Sequence, residues 1–140
     1  MVREMMEISL IANVVLQHSA VAVVLLALGS MLLPRRRGGL MVAVDTLAWL
    51  VIAAGSVVGL ATIWEFVQLL QGGNLFEKAA FANRAGGDYA WFHWLRAFSV
   101  VVAPQLLWWR RCRASAWGAL MTGLVISAPF VLAMLPPQLR

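Results

Sequence analysis

Charged residues, cysteine and histidine are all scarce in this chain. Charged residues make up 12% of its 140 residues, and it has one cysteine and two histidines. The single cysteine, Cys112, excludes an internal disulfide and leaves no cysteine cluster for a metal or an iron–sulfur centre. The sequence also holds no Ser/His/Asp set and no phosphate-binding glycine loop, so nothing in it favours hydrolysis or nucleotide binding.

Apolar residues are what the chain has in excess. They make up 62% of the sequence, and the mean hydropathy is +0.83. A soluble domain has roughly 45–50% apolar residues, and a globule of this length has too much surface to hide the difference. The composition therefore predicts an integral membrane protein.

Four apolar segments reach the roughly 20 residues that a helix needs to cross a bilayer. They cover residues 8–33, 40–70, 89–109 and 115–135, and a polar loop at 72–88 joins the second to the third. This pattern predicts an all-α, four-helix bundle in a single transmembrane domain. The first segment is too long for the apolar region of a signal peptide, so we expect it to be retained.

Two arginine clusters set the expected orientation. They follow the first and third segments, and they consist of Arg35, Arg36 and Arg37, and of Arg110, Arg111 and Arg113. Basic loops stay on the cytoplasmic side, which places both termini and the loop 72–88 on the periplasmic side of a bacterial inner membrane. Because no basic face or nucleic-acid-binding motif accompanies these arginines, we expect lipid rather than nucleic acid around the chain.

Small residues and prolines mark expected contacts and bends in the helices. Gly55 and Gly59 have the small-xxx-small spacing that lets two helices approach closely. Pro104 and Pro129 fall inside the third and fourth segments, where each proline should free a backbone carbonyl and kink its helix.

Ionisable residues inside membrane helices are candidate functional residues, and five occur here: His18, Asp45, Glu65, His93 and Arg96. Glu65 and Arg96 each lie about seven residues from the outer ends of their segments, so an ion pair is expected. His93 precedes Arg96 by three residues, on the same helix face. The three predict either a packing salt bridge or a polar pocket that binds a quinone headgroup or relays protons.

The other two ionisable residues allow several roles. His18, near the middle of the first segment, could be a quinone ligand, a proton relay or a hydrogen-bonded core residue. A haem b held by His18 and His93 is disfavoured because the two histidines lie at different depths. Asp45 could be a carboxylate favoured by the helix dipole or the entrance of a proton path.

Four motifs, in order, resemble those of a known family. They read WEF at 64–66, GNLFE at 73–77, FANRAGGDYAW at 81–91 and PQLLW at 104–108. The stretch 40–107, about half of the chain, is similar to the polysulfide-reductase (NrfD-like) membrane subunits, particularly those of alternative complex III. The resemblance implies a subunit without redox centres of its own, which passes electrons from quinol to an iron–sulfur partner.

The resemblance also extends to particular residues: Asp45 and Glu65 match acidic helix positions of the family, and Glu77, Asn83 and Arg84 match its outer loop. The glycines and asparagines of this loop predict a structured turn. The loop would either dock a peripheral redox subunit through Asn74, Glu77, Asn83 and Arg84, beside other integral membrane subunits, or form a tight cap on the bundle. The chain departs from the family at Ala43, where the family has histidine, at Trp49, where it has lysine, and in its last helix. Full-length members have about twice as many helices, so the chain resembles a half-size relative with a supporting role.

Three hypotheses of function remain from the sequence. The first is a non-catalytic or quinol-contacting subunit of an electron-transfer complex. The second is an independent membrane protein that binds quinone or haem through His18 and His93. The third is a small proton channel or transporter that uses His18, Asp45 and Glu65.

Overall fold

The computed structural model describes the backbone of residues 2–134 and the side chains of residues 7–134. In this range the chain is helical almost throughout and forms no strand. The six α-helices are α1 (Val2–Leu32), α2 (Arg37–Gly72), α3 (Leu75–Gly86), α4 (Ala90–Val101), α5 (Arg110–Ala114) and α6 (Ala116–Met134). Two 3₁₀ segments, Pro34–Arg36 and Ala103–Trp108, join α1 to α2 and α4 to α5.

Three helices in the described part of the chain are long and apolar enough to cross a membrane. They cover Glu7–Leu32, Pro34–Gly72 and Ala116–Met134. Only 33–39% of the most apolar window of each is buried inside the protein, so most of its apolar surface faces outward. A soluble protein would hide that surface, and the chain is therefore a membrane protein, as its composition predicted.

Small residues bring the helices of the core together. Ala20, Ala27, Ala48, Ala103 and Ala119 are fully buried, and they belong to α1, α2, the second 3₁₀ segment and α6. Small side chains allow close backbone approach, which favours packing where lipid removes the hydrophobic drive between helices. Larger buried residues fill the remaining space between the helices: Leu16, Val23, Val44, Val51 and Leu107.

The third predicted segment, 89–109, is not one continuous helix. The α-helix ends at Val101, and Gln105 and Trp109 donate backbone hydrogen bonds to carbonyls three residues earlier, as in a 3₁₀ helix. Pro104 is the cause, because it has no N–H to continue the α-helical ladder. A kink was predicted at Pro104, and a change of helix type is found. By contrast, α6 runs continuously through Pro129.

Gly55 and Gly59 on α2 face this broken segment. Gly55 lies against the ring of Pro104, and Gly59 lies against Val101. The helix contact that the glycine spacing predicted is therefore confirmed, and its partner is the segment that contains Pro104.

The region predicted as an outer loop, 72–88, is instead mostly helix α3. Asn74 and Glu77 form a capping box: Asn74 Oδ1 accepts the Glu77 backbone N–H (2.9 Å), and Glu77 Oε2 accepts the Asn74 N–H (3.1 Å). Such reciprocal bonds satisfy two of the free N–H groups at a helix start. Gly86 and Gly87 then end the helix. The predicted end of the last segment at 135 lies outside the described residues.

Candidate functional site

Glu65 and Arg96 lie at the same level of the protein, as predicted. Gly59 of α2 lies against Val101 of α4. Glu65 comes six residues after Gly59, and Arg96 comes five residues before Val101, so the two side chains lie at about the same depth. Both line a cavity of about 560 Å³, which is also lined by His93 of α4 and Arg84 of α3. The structure therefore assembles three of the five predicted residues and adds an arginine that was predicted only to dock a partner.

The expected ion pair between Glu65 and Arg96 is not formed among the described residues. Both side chains belong to exposed residues, and both line the same cavity. A carboxylate and a guanidinium that face one cavity without closing on each other can both contact a bound polar group. This arrangement differs from the packing salt bridge that was the simpler expectation.

A second cavity, of about 410 Å³, shares one wall with the first. Thr62, Glu65, Arg84, His93 and Ala97 line both cavities, and apolar side chains, three of them aromatic, line the rest of the second: Ile63, Phe66, Leu69, Phe81 and Trp94. Glu65 and His93 therefore stand between a space with several charged and polar side chains and one that is apolar and rich in aromatic rings. An amphipathic ligand with a flat ring and polar oxygens matches such a pair of spaces.

Aromatic contacts fix the position of His93. Its ring lies edge-on to Phe81 and to Trp94, with centroids 5.8 and 5.5 Å away. The Trp94 Nε1–H donates a hydrogen bond to the Ala85 carbonyl at 3.0 Å, which ties α4 to the end of α3. Helix α3, which sequence reasoning missed, is therefore what closes the aromatic side of the site.

A third cavity, of about 220 Å³, continues from the first between α1, α4 and α6. Asn13, Arg96 and Val100 line both the first and the third cavity, whereas Gln17 lines the third cavity but not the first. Gln17 Nε2 lies 3.5 Å from Asn13 Oδ1 one turn away. Two amide side chains thus extend the polar lining toward the interior of the bundle.

His18 is not part of these cavities. It lines none of the three, and its residue is exposed on the outside of α1. Its Nδ1–H donates a hydrogen bond of 2.8 Å to the Val14 carbonyl. His18 and His93 therefore do not share one of these cavities.

Asp45 belongs to a separate network at the arginine-rich end. Arg113 Nε donates to Asp45 Oδ1 at 2.5 Å, and Arg113 Nη1 donates to the Leu107 carbonyl at 3.2 Å. The Arg113 guanidinium also lies over the Trp49 ring, 4.5 Å from its centroid. Asp45 thus forms a salt bridge with Arg113 and does not line the cavity of Glu65.

The network continues through side chains to the 3₁₀ segment. Trp49 contacts Trp108 edge-on, Trp108 Nε1–H donates to Gln105 Oε1 (2.8 Å), and Gln105 Nε2–H donates to Ser56 Oγ (3.3 Å). These bonds hold the Pro104 segment to α2 at both ends. The sequence pattern indicated only that Arg113 marks the cytoplasmic side. The one sequence signal for a basic partner was the position of Asp45 within an apolar segment.

We predict that Arg113→Gln destabilises the protein by about 2 kcal/mol, since it leaves Asp45 and the Leu107 carbonyl without their donor. The effect is moderate because the Asp45 side chain is 50% exposed, although that of Arg113 is only 13% exposed. Lys78→Gln is the control, because Lys78 is also an exposed cation but lies on α3, away from this network. Thermal unfolding in detergent, followed by tryptophan fluorescence, measures both, and equal midpoints would contradict the role of the network.

The four residues predicted to dock a partner have more local contacts than expected. Asn74 and Glu77 cap each other, and the Asn83 carbonyl accepts the Gly87 N–H at 2.8 Å. Arg84 Nε–H donates to the Ala80 carbonyl at 3.3 Å while its side chain lines two cavities. The docking role stays a prediction, and Arg84 joins the candidate site.

No group of three or more His, Cys, Asp or Glu side chains in the described part of the chain is arranged to hold a metal ion. A scan against models of protein families finds no match for the chain, and a comparison with curated proteins finds none either.

Proposed function

We propose that the chain is a membrane subunit of a multi-subunit electron-transfer complex similar to alternative complex III, in which it contacts quinol. The observation that carries the proposal is the wall formed by Glu65 and His93 between a cavity with several charged and polar side chains and an apolar cavity rich in aromatic rings. The family resemblance supports it, because Glu65 falls in one of the motifs that carry that resemblance.

The chemistry of the site suits the release of protons from a quinol. Oxidation of a quinol to a quinone removes two electrons and two protons. In the proposed arrangement the ring lies among Phe66, Phe81 and Trp94, and its hydroxyl groups face Glu65 and His93. A carboxylate and an imidazole can each act as a general base, and the positive charges of Arg84 and Arg96 would stabilise the quinol anion that forms when the first proton leaves. The electrons leave to a redox centre on a partner subunit.

The proposal includes a fourth crossing of the membrane by α4 and the second 3₁₀ segment. Together they span about 30 Å, at 1.5 Å per residue in the α-helix and 2.0 Å in the 3₁₀ helix. That length equals the hydrocarbon thickness of a typical bilayer. Four crossings place both termini on one side, and the arginine clusters make the opposite side cytoplasmic.

The surface around α3 supports a role in a larger assembly. Leu75 and Phe76 at the start of α3 are more than 85% exposed, and the residues of α2 beyond Glu65 are mostly exposed too. At about 1.5 Å per residue, α2 is about 54 Å long, so its outer end reaches beyond the hydrocarbon core. Other subunits would cover this end and shield the polar cavity from lipid.

Co-purification tests the proposal. The tagged full-length chain, extracted from its native membrane in mild detergent, should bring further integral subunits and a peripheral redox protein in fixed stoichiometry. In the same membranes, Cys112 should react with an impermeant maleimide only from the cytoplasmic side. Recovery of the chain as a stable monomer without partners would contradict the proposed assembly.

A further inference from the structure

Five arginines are exposed at the end of the protein opposite the Glu65 cavity: Arg35, Arg36, Arg37, Arg110 and Arg111. They belong to the two arginine clusters. The contacts between Gly29 and Leu40 and between Asp45 and Arg113 place the ends of α1, α2 and α5 in the same layer of the protein. The two clusters therefore form one basic rim.

The described residues place hardly any negative charge near this rim. Asp45 is its nearest carboxylate among the described residues, and Arg113 binds it. The other described acidic residues belong to the opposite half of the protein: Glu7, Glu65, Glu77 and Asp88. The five guanidinium groups therefore have no carboxylate of the described chain beside them, and they are open to an anion from outside it.

Exposed tryptophans locate the rim at the level of the lipid headgroups. Trp109 and Trp117 flank α5 and are 71% and 64% exposed, and Trp108 is held by its hydrogen bond to Gln105. Indole rings prefer the membrane interface, because they are apolar and carry one N–H donor. At that depth the nearest anions are the phosphates of lipids.

We propose that this basic rim binds anionic phospholipid headgroups, and that Arg110 and Arg111 are its main contacts. A guanidinium forms paired hydrogen bonds with phosphate oxygens, and the tryptophans cover the first part of the acyl chains. Arg113 is not among these contacts, because it donates to Asp45 and to the Leu107 carbonyl and its side chain is only 13% exposed. The proposal does not depend on quinol binding at the other end.

Native mass spectrometry of the full-length chain, released from micelles with equal amounts of phosphatidylglycerol and phosphatidylcholine, tests this. We expect the wild-type chain to retain phosphatidylglycerol in preference to phosphatidylcholine. Arg110→Gln combined with Arg111→Gln should lower that preference by about 25-fold, because each basic residue near an anionic surface is expected to contribute about fivefold.

Lys78→Gln is the control, because Lys78 is an exposed cation on α3, at the far end of the protein. It should leave the preference unchanged. Equal retention of the two lipids by the wild-type chain, or the same loss in the Lys78→Gln variant, would overturn the proposal. An excess of inorganic phosphate should not displace the lipid, and displacement would show a site for free anions instead.

Discussion

Replacing Gly55 with alanine is expected to destabilise the protein by about 1–3 kcal/mol, the usual cost of an extra carbon in a packed interior. A Cβ atom at position 55 would lie 2.6 Å from the Pro104 Cγ atom. Neither side can yield easily, because Pro104 is a rigid, fully buried ring and Gly55 is in the middle of α2. The clash should push the 3₁₀ segment away from α2.

The same substitution at Gly59 provides the control. Gly59 is also buried, one turn further along α2, but a Cβ atom there would meet Val101 at an ordinary distance of 3.8 Å. Alanine favours a helix over glycine by about 1 kcal/mol, so Gly59→Ala should be neutral or slightly stabilising. Thermal unfolding in detergent, measured by circular dichroism, compares the two variants. Equal midpoints for Gly55→Ala and Gly59→Ala would contradict the close packing against Pro104.

The loss at Gly55 should extend beyond stability. Val101 and Pro104 fix the level of α4 relative to α2, and that level brings Arg96 to Glu65. Gln105 also donates to Ser56, one residue after Gly55. The contact at Gly55 therefore connects the packing of the core to the geometry of the cavity.

The depth of the candidate site in the membrane could be predicted from the sequence, because the ends of the apolar segments show how deep each residue lies. Glu65 and Arg96 lie at similar distances from the ends of their segments, and both line one cavity. Whether they form an ion pair could not be predicted, because depth says nothing about the width of the space between two helices. The position of His93 between Phe81 and Trp94 depends on α3, a segment that the sequence pattern predicted to be a loop.

Helix α3 was missed although its start signal is in the sequence. Asn74 followed by Glu77 is the pattern of a capping box, and the four glycines around the segment concealed it. Arg113 was missed for a different reason. Three arginines within four residues look equivalent in the sequence, and only the course of the 3₁₀ segment decides which of them reaches Asp45.

Replacing Glu65 with glutamine is expected to weaken quinol binding by about tenfold. The two side chains have nearly the same size, so the cavity should keep its shape. A carboxylate accepts a charge-assisted hydrogen bond from a quinol hydroxyl, which is roughly twice as strong as the bond to a neutral amide. A tenfold change corresponds to about 1.4 kcal/mol, within the range for such a difference. Turnover by an intact complex should fall further, because glutamine cannot accept the proton.

Asp88→Asn is the matched control for this substitution. It also converts a carboxylate to an amide at the same end of the protein, but Asp88 is exposed and lines none of the three cavities. Its quinol affinity should equal that of the wild-type chain. A similar loss of quinol affinity in both variants would show that the effect comes from the net charge at this end of the protein and not from the cavity.

The most direct test of the proposed site is the anaerobic calorimetric titration of the full-length chain in detergent with duroquinol, with empty micelles as the blank. We predict saturable binding to the wild-type chain, binding about tenfold weaker in Glu65→Gln, and unchanged binding in Asp88→Asn. Equal affinity in all three proteins, or no saturable heat beyond that of the micelles, would contradict quinol binding at Glu65.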